Sequence, residues 1–145
     1  MKVVASVVDR SVSAYVKVGV AHIASADLTV YTTGREDATR VYQSNAELGF
    51  PLDLEDPFWS RPIWFFNRII VPHGSRRQGI GSNLLTTVIG LATAHNAGIW
   101  CPINSYGVGN PSTEELCAWY VRHGFTPAPG LLNSVIHRCG GVHGV

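Results

Sequence analysis

Residues 71–85 read Val-Pro-His-Gly-Ser-Arg-Arg-Gln-Gly-Ile-Gly-Ser-Asn-Leu-Leu. An apolar stretch leads into two arginines and Gly79-Ile80-Gly81, after which the apolar positions take up helical spacing. Glycine lets backbone N–H groups approach a ligand with no side chain between them, and it adopts positive φ without steric cost. The first turn of a helix adds unpaired N–H donors and a partial positive charge. Together these features make an anion site, most often one for phosphate.

Three phosphate-binding patterns compete for this stretch. The P-loop pattern Gly-x-x-x-x-Gly-Lys-Ser/Thr has its glycine spacing at Gly74 and Gly79, but Ile80-Gly81 stand where the lysine and hydroxyl residue belong. A dinucleotide fingerprint starting at Gly79 meets Leu84 at its third glycine, and Ile99 stands near where an acidic residue should follow. The third pattern, Arg/Gln-x-x-Gly-x-Gly/Ala, is met in full by Arg76-Arg77-Gln78-Gly79-Ile80-Gly81. On those residues the stretch resembles motif A of the GNAT superfamily, the acyl-CoA-dependent N-acetyltransferases, in which this loop holds the coenzyme A pyrophosphate. A plain strand–turn–helix with a solvated basic turn is the competing reading, and the flanking sequence decides between the two.

Upstream, Ile63–Val71 is an almost continuous apolar run with aromatic and β-branched residues, the pattern of a central strand buried on both faces. Downstream, Leu84, Leu85, Val88, Leu91, Ala92 and His95 recur at helical spacing within 82–97, and Asn96-Ala97-Gly98 is a stop signal. A short strand follows over Ile99–Ile103. Pro102 cannot donate to a ladder, so part of this strand lacks a partner, which splayed strands would satisfy. Ser112-Thr113-Glu114-Glu115 has the form of a capping box. It opens a helix through Leu116, Trp119, Tyr120 and His123 that ends at Gly124, and a last strand is expected near Leu131–Arg138.

Tyr120-Val121-Arg122-His123-Gly124-Phe125 matches a second GNAT signature, Tyr-x-x-x-Gly-Phe. Both motifs occur in the family's order with the expected elements between them, over Ile63–Phe125. The resemblance implies one GNAT-like α/β (α+β) domain over 1–145, a mixed central sheet with splayed central strands flanked by helices. Residues 63–125 would be its coenzyme-binding half, and residues 131–138 its terminal strand before a short tail. The region 1–62 departs from the family pattern. A short strand is expected in Met1–Asp9, and two more over Val12–Ile23 and Leu28–Thr33, joined by a tight turn at Ala24-Ser25-Ala26-Asp27. A helix with a thin apolar face is read over Glu36–Leu48. Gly49–Pro62, rich in proline and acidic residues, reads as a loop that either reaches the substrate or merely connects.

Composition narrows the classes further. The 145 residues are 46% hydrophobic and 14% charged, enough for a sizeable core and no sign of disorder. No run approaches the ~18 apolar residues of a membrane span, and the apolar start is too short for a signal peptide. The formal charge of +1 gives little support to a nucleic-acid partner without removing it from the range. Cys101, Cys117 and Cys139 are odd in number and lack paired spacing, which fits reduced thiols in a cytoplasmic protein. His137, Cys139 and His143 are spaced more widely than a zinc site usually requires, and His22, His73, His95 and His123 are scattered, so no metal is expected.

The resemblance implies acetyl transfer from acetyl-CoA, as co-substrate, to a primary amine by direct attack. Backbone N–H groups from Arg77 to Ser82 would grip the pyrophosphate, with Arg76 and Arg77 adding charge and Gln78, Gly79, Ile80 and Gly81 completing the loop. Backbone groups of Ile69, Ile70 and Val71 would meet the pantetheine and the thioester carbonyl. Asn104, just after the second strand, is a further coenzyme contact on the same ground. Tyr120 would protonate the leaving thiolate, since a phenol with pKa near 10 stays protonated at neutral pH; its other reading is a packed helix aromatic. Asn67 and Arg68 are candidates for the acceptor pocket. No carboxylate lies on the central strand, so Asp53, Glu55, Asp56 or His73 would have to serve as base. The acceptor is a small molecule, a protein amine or an amino group on nucleic acid. A non-catalytic acyl-CoA sensor or interaction module on the same fold is the alternative. Homodimers are frequent in the family, and no residue here requires one.

Overall fold

The computed structural model describes residues 2–18, 21–31, 57–70, 79–103, 112–127 and 134–139. They form seven strands: β1 (Lys2–Val8), β2 (Ser11–Val18), β3 (Ala21–Tyr31), β4 (Ile63–Ile70), β5 (Gly98–Pro102), β6 (Thr126–Pro127) and β7 (Ser134–His137). Helix α1 (Ile80–Ala94) links β4 to β5, and α2 (Thr113–Arg122) lies between β5 and β6. The strands make one sheet in the order β1-β2-β3-β4-β5-β7-β6. Every described pairing is antiparallel except β4 with β5, which is parallel and therefore needs the α1 crossover.

The strand alternation sorts side chains onto two faces. On one, Val12, Ala14 and Val16 of β2, Ala24, Ala26, Leu28 and Val30 of β3, and Trp64 and Phe66 of β4 are buried. Against them lie Ile80, Leu84, Leu85, Val88 and Ala92 of α1, an apolar stripe at helical spacing, together with Tyr120 of α2. Ala14 and Ala26 are direct partners across β2 and β3, and such small residues let a helix approach the sheet. The opposite face carries a smaller aromatic cluster of Phe58, Trp59, Ile63, Trp100 and Ile136, with Phe65 and Tyr31 at its margin.

Two upstream expectations are corrected. Ala24-Ser25-Ala26-Asp27 is not a turn: it lies inside β3, and the chain reverses between Val18 and Ala21. Ala24, Ala26, Leu28 and Val30 are buried in strict alternation with Ser25, Asp27 and Thr29, so a period-two pattern built on alanine forms the strand. Gly49–Pro62 is not loop throughout, because Pro57–Ser60 forms a 3-10 turn. Phe58 and Trp59 are buried there, stacked edge-on with each other and, through Trp59, with Trp100. That part is an anchored plug under the sheet. The predicted helix over Glu36–Leu48 lies outside the described residues.

The downstream elements agree with their sequence signals. Ser112 Oγ accepts from the Glu115 backbone N–H at 3.1 Å while the Glu115 carboxylate accepts from the Ser112 N–H at 3.3 Å, a reciprocal capping box. Asn96 takes φ 54° after α1, and Gly124 takes φ 92° after α2. Both are left-handed stop residues of the kind that end helices. The one qualification concerns β4: it is covered on both faces only over Ile63–Phe66, and Asn67, Arg68 and Ile70 are exposed.

Candidate active site

The site begins where two parallel strands part. β4 and β5 pair at only three positions, Ile63 with Gly98, Trp64 with Ile99 and Phe65 with Trp100. Beyond Phe65, β4 runs on to Ile70, and β5 continues to Pro102 while pairing on its other side with β7. The β5-facing backbone edge of β4 therefore has no strand partner from Asn67 to Ile70 among the described residues. Pro102, which cannot donate to a ladder, stands on the diverging strand as its sequence predicts.

A second irregularity sits at the same place. β3 pairs Asp27 with Arg68 and Leu28 with Phe66, so Asn67 is an extra residue in β4, a β-bulge. The Asn67 amide donates to Thr29 Oγ1 at 2.7 Å, and Arg68 pairs with Asp27 at 3.4 Å. Both contacts are exposed. They give the outer half of β4 a polar rim on the face opposite the helices.

The start of α1 lies near the same end of β4. Gly79 is the N-cap of α1 in a left-handed conformation, φ 72°. A Cβ there would meet nothing within 4 Å, so glycine is required for its backbone angle and not for space. Among the described residues no side chain caps this helix start, no acidic residue lies in its first turn, and Ile80 and Gly81 are buried. Among the described residues, no side-chain partner meets the N–H groups and the partial positive charge of this helix start. Ile69, Ile70, Gly79, Ile80, Gly81 and Ser82 lie within the described residues at the end of β4 and the start of α1. Val71, Arg76, Arg77, Gln78 and Asn104 lie outside them, as do Asp53, Glu55, Asp56 and His73.

Tyr120 stands on α2, 3% exposed, with its ring edge-on to Trp119 and Phe125. Its hydroxyl hydrogen-bonds Cys101 Sγ, and the Cys101 thiol lies 3.6 Å from the Pro102 carbonyl oxygen, which accepts from it. Burial, helped by the Cys101 sulfur, holds the phenol well above its ordinary range. The Cys101 thiol is likewise pushed up to about 12 by burial, partly offset by the hydrogen bond from Tyr120. Cys101 is the first β5 residue past the last rung to β4, so the phenol reaches the mouth of the fork.

Two relationships carry no single-sequence signal. Ser82 Oγ lies 3.1 Å from His123 Nε2, joining the first turn of α1 to the end of α2. Arg61 is 7% exposed just before β4 and donates to the Arg138 carbonyl, and its Nε and Nη1 have no hydrogen-bond partner among the described residues. It lies at the end of β4 away from the fork. His137 accepts the Cys139 N–H at 2.8 Å on Nδ1. Among the described residues, no group of three histidine, cysteine or acidic side chains could hold a metal ion, and no helix is long and apolar enough to cross a membrane.

No family model and no curated protein matches the sequence. Solved structures do match the fold. An aminoglycoside acetyltransferase, HMB0005, from an uncultured soil metagenomic sample superposes with a TM-score of 0.53 at 13% identity, over 83% of this chain. NAA60 of Arabidopsis thaliana, in complex with a bisubstrate analogue, superposes with a TM-score of 0.52 at 13% identity, over 88% of this chain. The chain spans 62% of the length of the first and 74% of the second. With the mixed sheet, the parting parallel pair and the glycine-capped helix in place, this chain has a GNAT-like fold.

Proposed function

We propose that this chain is one GNAT-type domain that transfers an acetyl group from acetyl-CoA to a primary amine. The observation that carries the reading is the fork itself: a bulged β4 edge with no strand partner beyond Phe65 among the described residues, the glycine-capped start of α1, and a buried phenol at the fork's mouth. The pyrophosphate is held by N–H groups of Gly79 to Ser82, with Arg76, Arg77 and Gln78 closing the loop. The pantetheine adds to the open edge of β4 at Ile69, Ile70 and Val71, as an extended peptide adds to a sheet edge. Asn104 extends the contact beyond β5.

The amine nitrogen attacks the thioester carbon, whose oxygen gains negative charge and is stabilised by β4 backbone N–H groups. The C–S bond then breaks, its electron pair goes to sulfur, and the nitrogen loses a proton. Tyr120 supplies the proton that the sulfur takes up. At rest its hydroxyl donates to the Cys101 sulfur, so turnover exchanges one sulfur acceptor for another. Burial keeps the phenol protonated until a sulfur acceptor arrives. A lysine-like amine costs ~4–5 kcal/mol to deprotonate at pH 7, so a base or water relay is required. Thr29, Asn67 and Arg68 form the acceptor-side rim, suited to a small polar amine or a peptide amine. The compartment that suits this chemistry and the three free thiols is the cytoplasm.

One observation favours the non-catalytic alternative, an acyl-CoA sensor or interaction module: the outer half of β4 bears Asn67 and Arg68 and no carboxylate. Calorimetry with CoA and acetyl-CoA, followed by thiol release across a panel of amines, separates the readings. Binding with turnover supports the transferase. Binding without turnover supports the sensor. No binding to folded protein contradicts both.

A further inference from the structure

His123 makes two contacts that together constrain its protons. Nδ1 lies 2.8 Å from the Trp119 carbonyl oxygen, which can only accept, so Nδ1 carries a hydrogen. Nε2 lies 3.1 Å from Ser82 Oγ. In the neutral ring, Nε2 must then accept the serine hydroxyl, and Ser82 has no hydrogen left for an anion. In the imidazolium, Nε2–H donates to Ser82 Oγ, which turns the serine hydroxyl outward as a donor and brings a positive charge behind it. Ser82 stands in the uncapped first turn of α1, where an anion adds a third partner to this chain. We infer that His123 is a positioning residue for the coenzyme phosphates: anion binding at the α1 start draws a proton onto His123, and Ser82 relays the interaction.

The described groups around the ring are few. From α1 the polar group facing the ring is Ser82, and its first turn holds no acidic residue. From α2 the Trp119 ring packs against the imidazole at 5.0 Å. Arg122 adjoins His123 in sequence, Glu115 is engaged in the capping box two turns earlier, and Glu114 precedes it. Among the described residues no carboxylate pairs with His123.

This inference rests on the coenzyme reading, and its test separates the two. CoA and pantetheine, which lacks the phosphates, are titrated by calorimetry at pH 6 and pH 8 in buffers of different ionisation enthalpy. The proteins are wild type, Ser82→Ala, His123→Asn and the double variant. Asparagine keeps an N–H for the Trp119 carbonyl and removes the contact to Ser82. CoA phosphate itself titrates near pH ~6, so the reading is the difference between wild type and variants. The expected result is proton uptake on CoA binding to wild type that both single variants lose. Each single variant weakens CoA about tenfold at pH 6, the double variant is no weaker than Ser82→Ala, and pantetheine affinity is unchanged throughout. An equal loss from His123→Asn in the Ser82→Ala background, or unchanged proton uptake in His123→Asn, overturns the inference while leaving the coenzyme reading intact. Absence of CoA binding by folded wild type overturns the reading beneath it.

Discussion

The Tyr120 hydroxyl hydrogen-bonds the Cys101 sulfur one residue beyond the last rung that joins β4 to β5. The contact ties α2 to the strand that diverges and holds a neutral phenol at the opening. Tyr120→Phe keeps the ring and its packing against Trp119 and Phe125 and removes the proton. The expected outcome is a fall in kcat of about 100-fold or more, with a smaller change in KM for acetyl-CoA. The lost hydrogen bond costs about 1 kcal/mol of stability. Because burial holds the phenol above its usual range, the kcat profile of the wild type should show no basic limb from this group below pH ~10. Steady-state kinetics on both proteins from pH 6 to 10 test this, and an active Tyr120→Phe would leave Tyr120 as a packing residue.

Cys101 and Cys139 are buried thiols, each pushed up to about 12 mainly by burial. Only a thiolate reacts quickly with an alkylating reagent. At pH 8, iodoacetamide should therefore modify the half-buried Cys117 first and leave the other two until the protein unfolds. Linkage has a definite sign here. The folded thiols bind protons more tightly than the unfolded ones, so their contribution to stability is complete below pH ~9 and is lost as pH rises from there towards 12. Denaturant melts at pH 8, 10 and 11 should show stability decreasing across that series.

Gly98 and Gly90 make a paired test of packing. A Cβ on Gly98 would lie 2.4 Å from a ring carbon of the fully buried Phe58. Gly98→Ala should cost about 1–3 kcal/mol through overpacking of the aromatic plug. A Cβ on Gly90, on the exposed side of α1, would meet nothing within 4 Å. Gly90→Ala should stabilise the protein by about 0.5–1 kcal/mol. Thermal melts of the two variants should move in opposite directions.

Much of the half from Ile63 to Phe125 was legible in the sequence because its signals are local. Ser112 and Glu115 cap a helix by residues three apart, and Leu84, Leu85, Val88, Leu91 and Ala92 mark one helical face. Pro102 announces a missing ladder partner on its own. The errors fall where the signal depends on a partner. Ala24 and Ala26 look like a turn beside Ser25 and Asp27 until Ala14 and α1 are placed against them. Phe58 and Trp59 sit among prolines and acids, and they become core only when Gly98, Trp100 and Ile136, distant in sequence, are placed against them. The bulge at Asn67 exists relative to β3, so no pattern within β4 alone shows it. Ser82 and His123 are each unremarkable in sequence, and their contact follows from how two helices end beside each other.

The central claim is that the α1 start and the open edge of β4 form one coenzyme site. A titration of labelled protein with CoA, followed by backbone amide resonances, tests it most directly. The account predicts saturable shifts at Gly79, Ile80, Gly81 and Ser82, and along Asn67 to Ile70. They should grow together on a single binding curve, with β1 and the exposed face of α1 unaffected. A folded protein whose amides at Gly79 to Ser82 do not respond to CoA would contradict it.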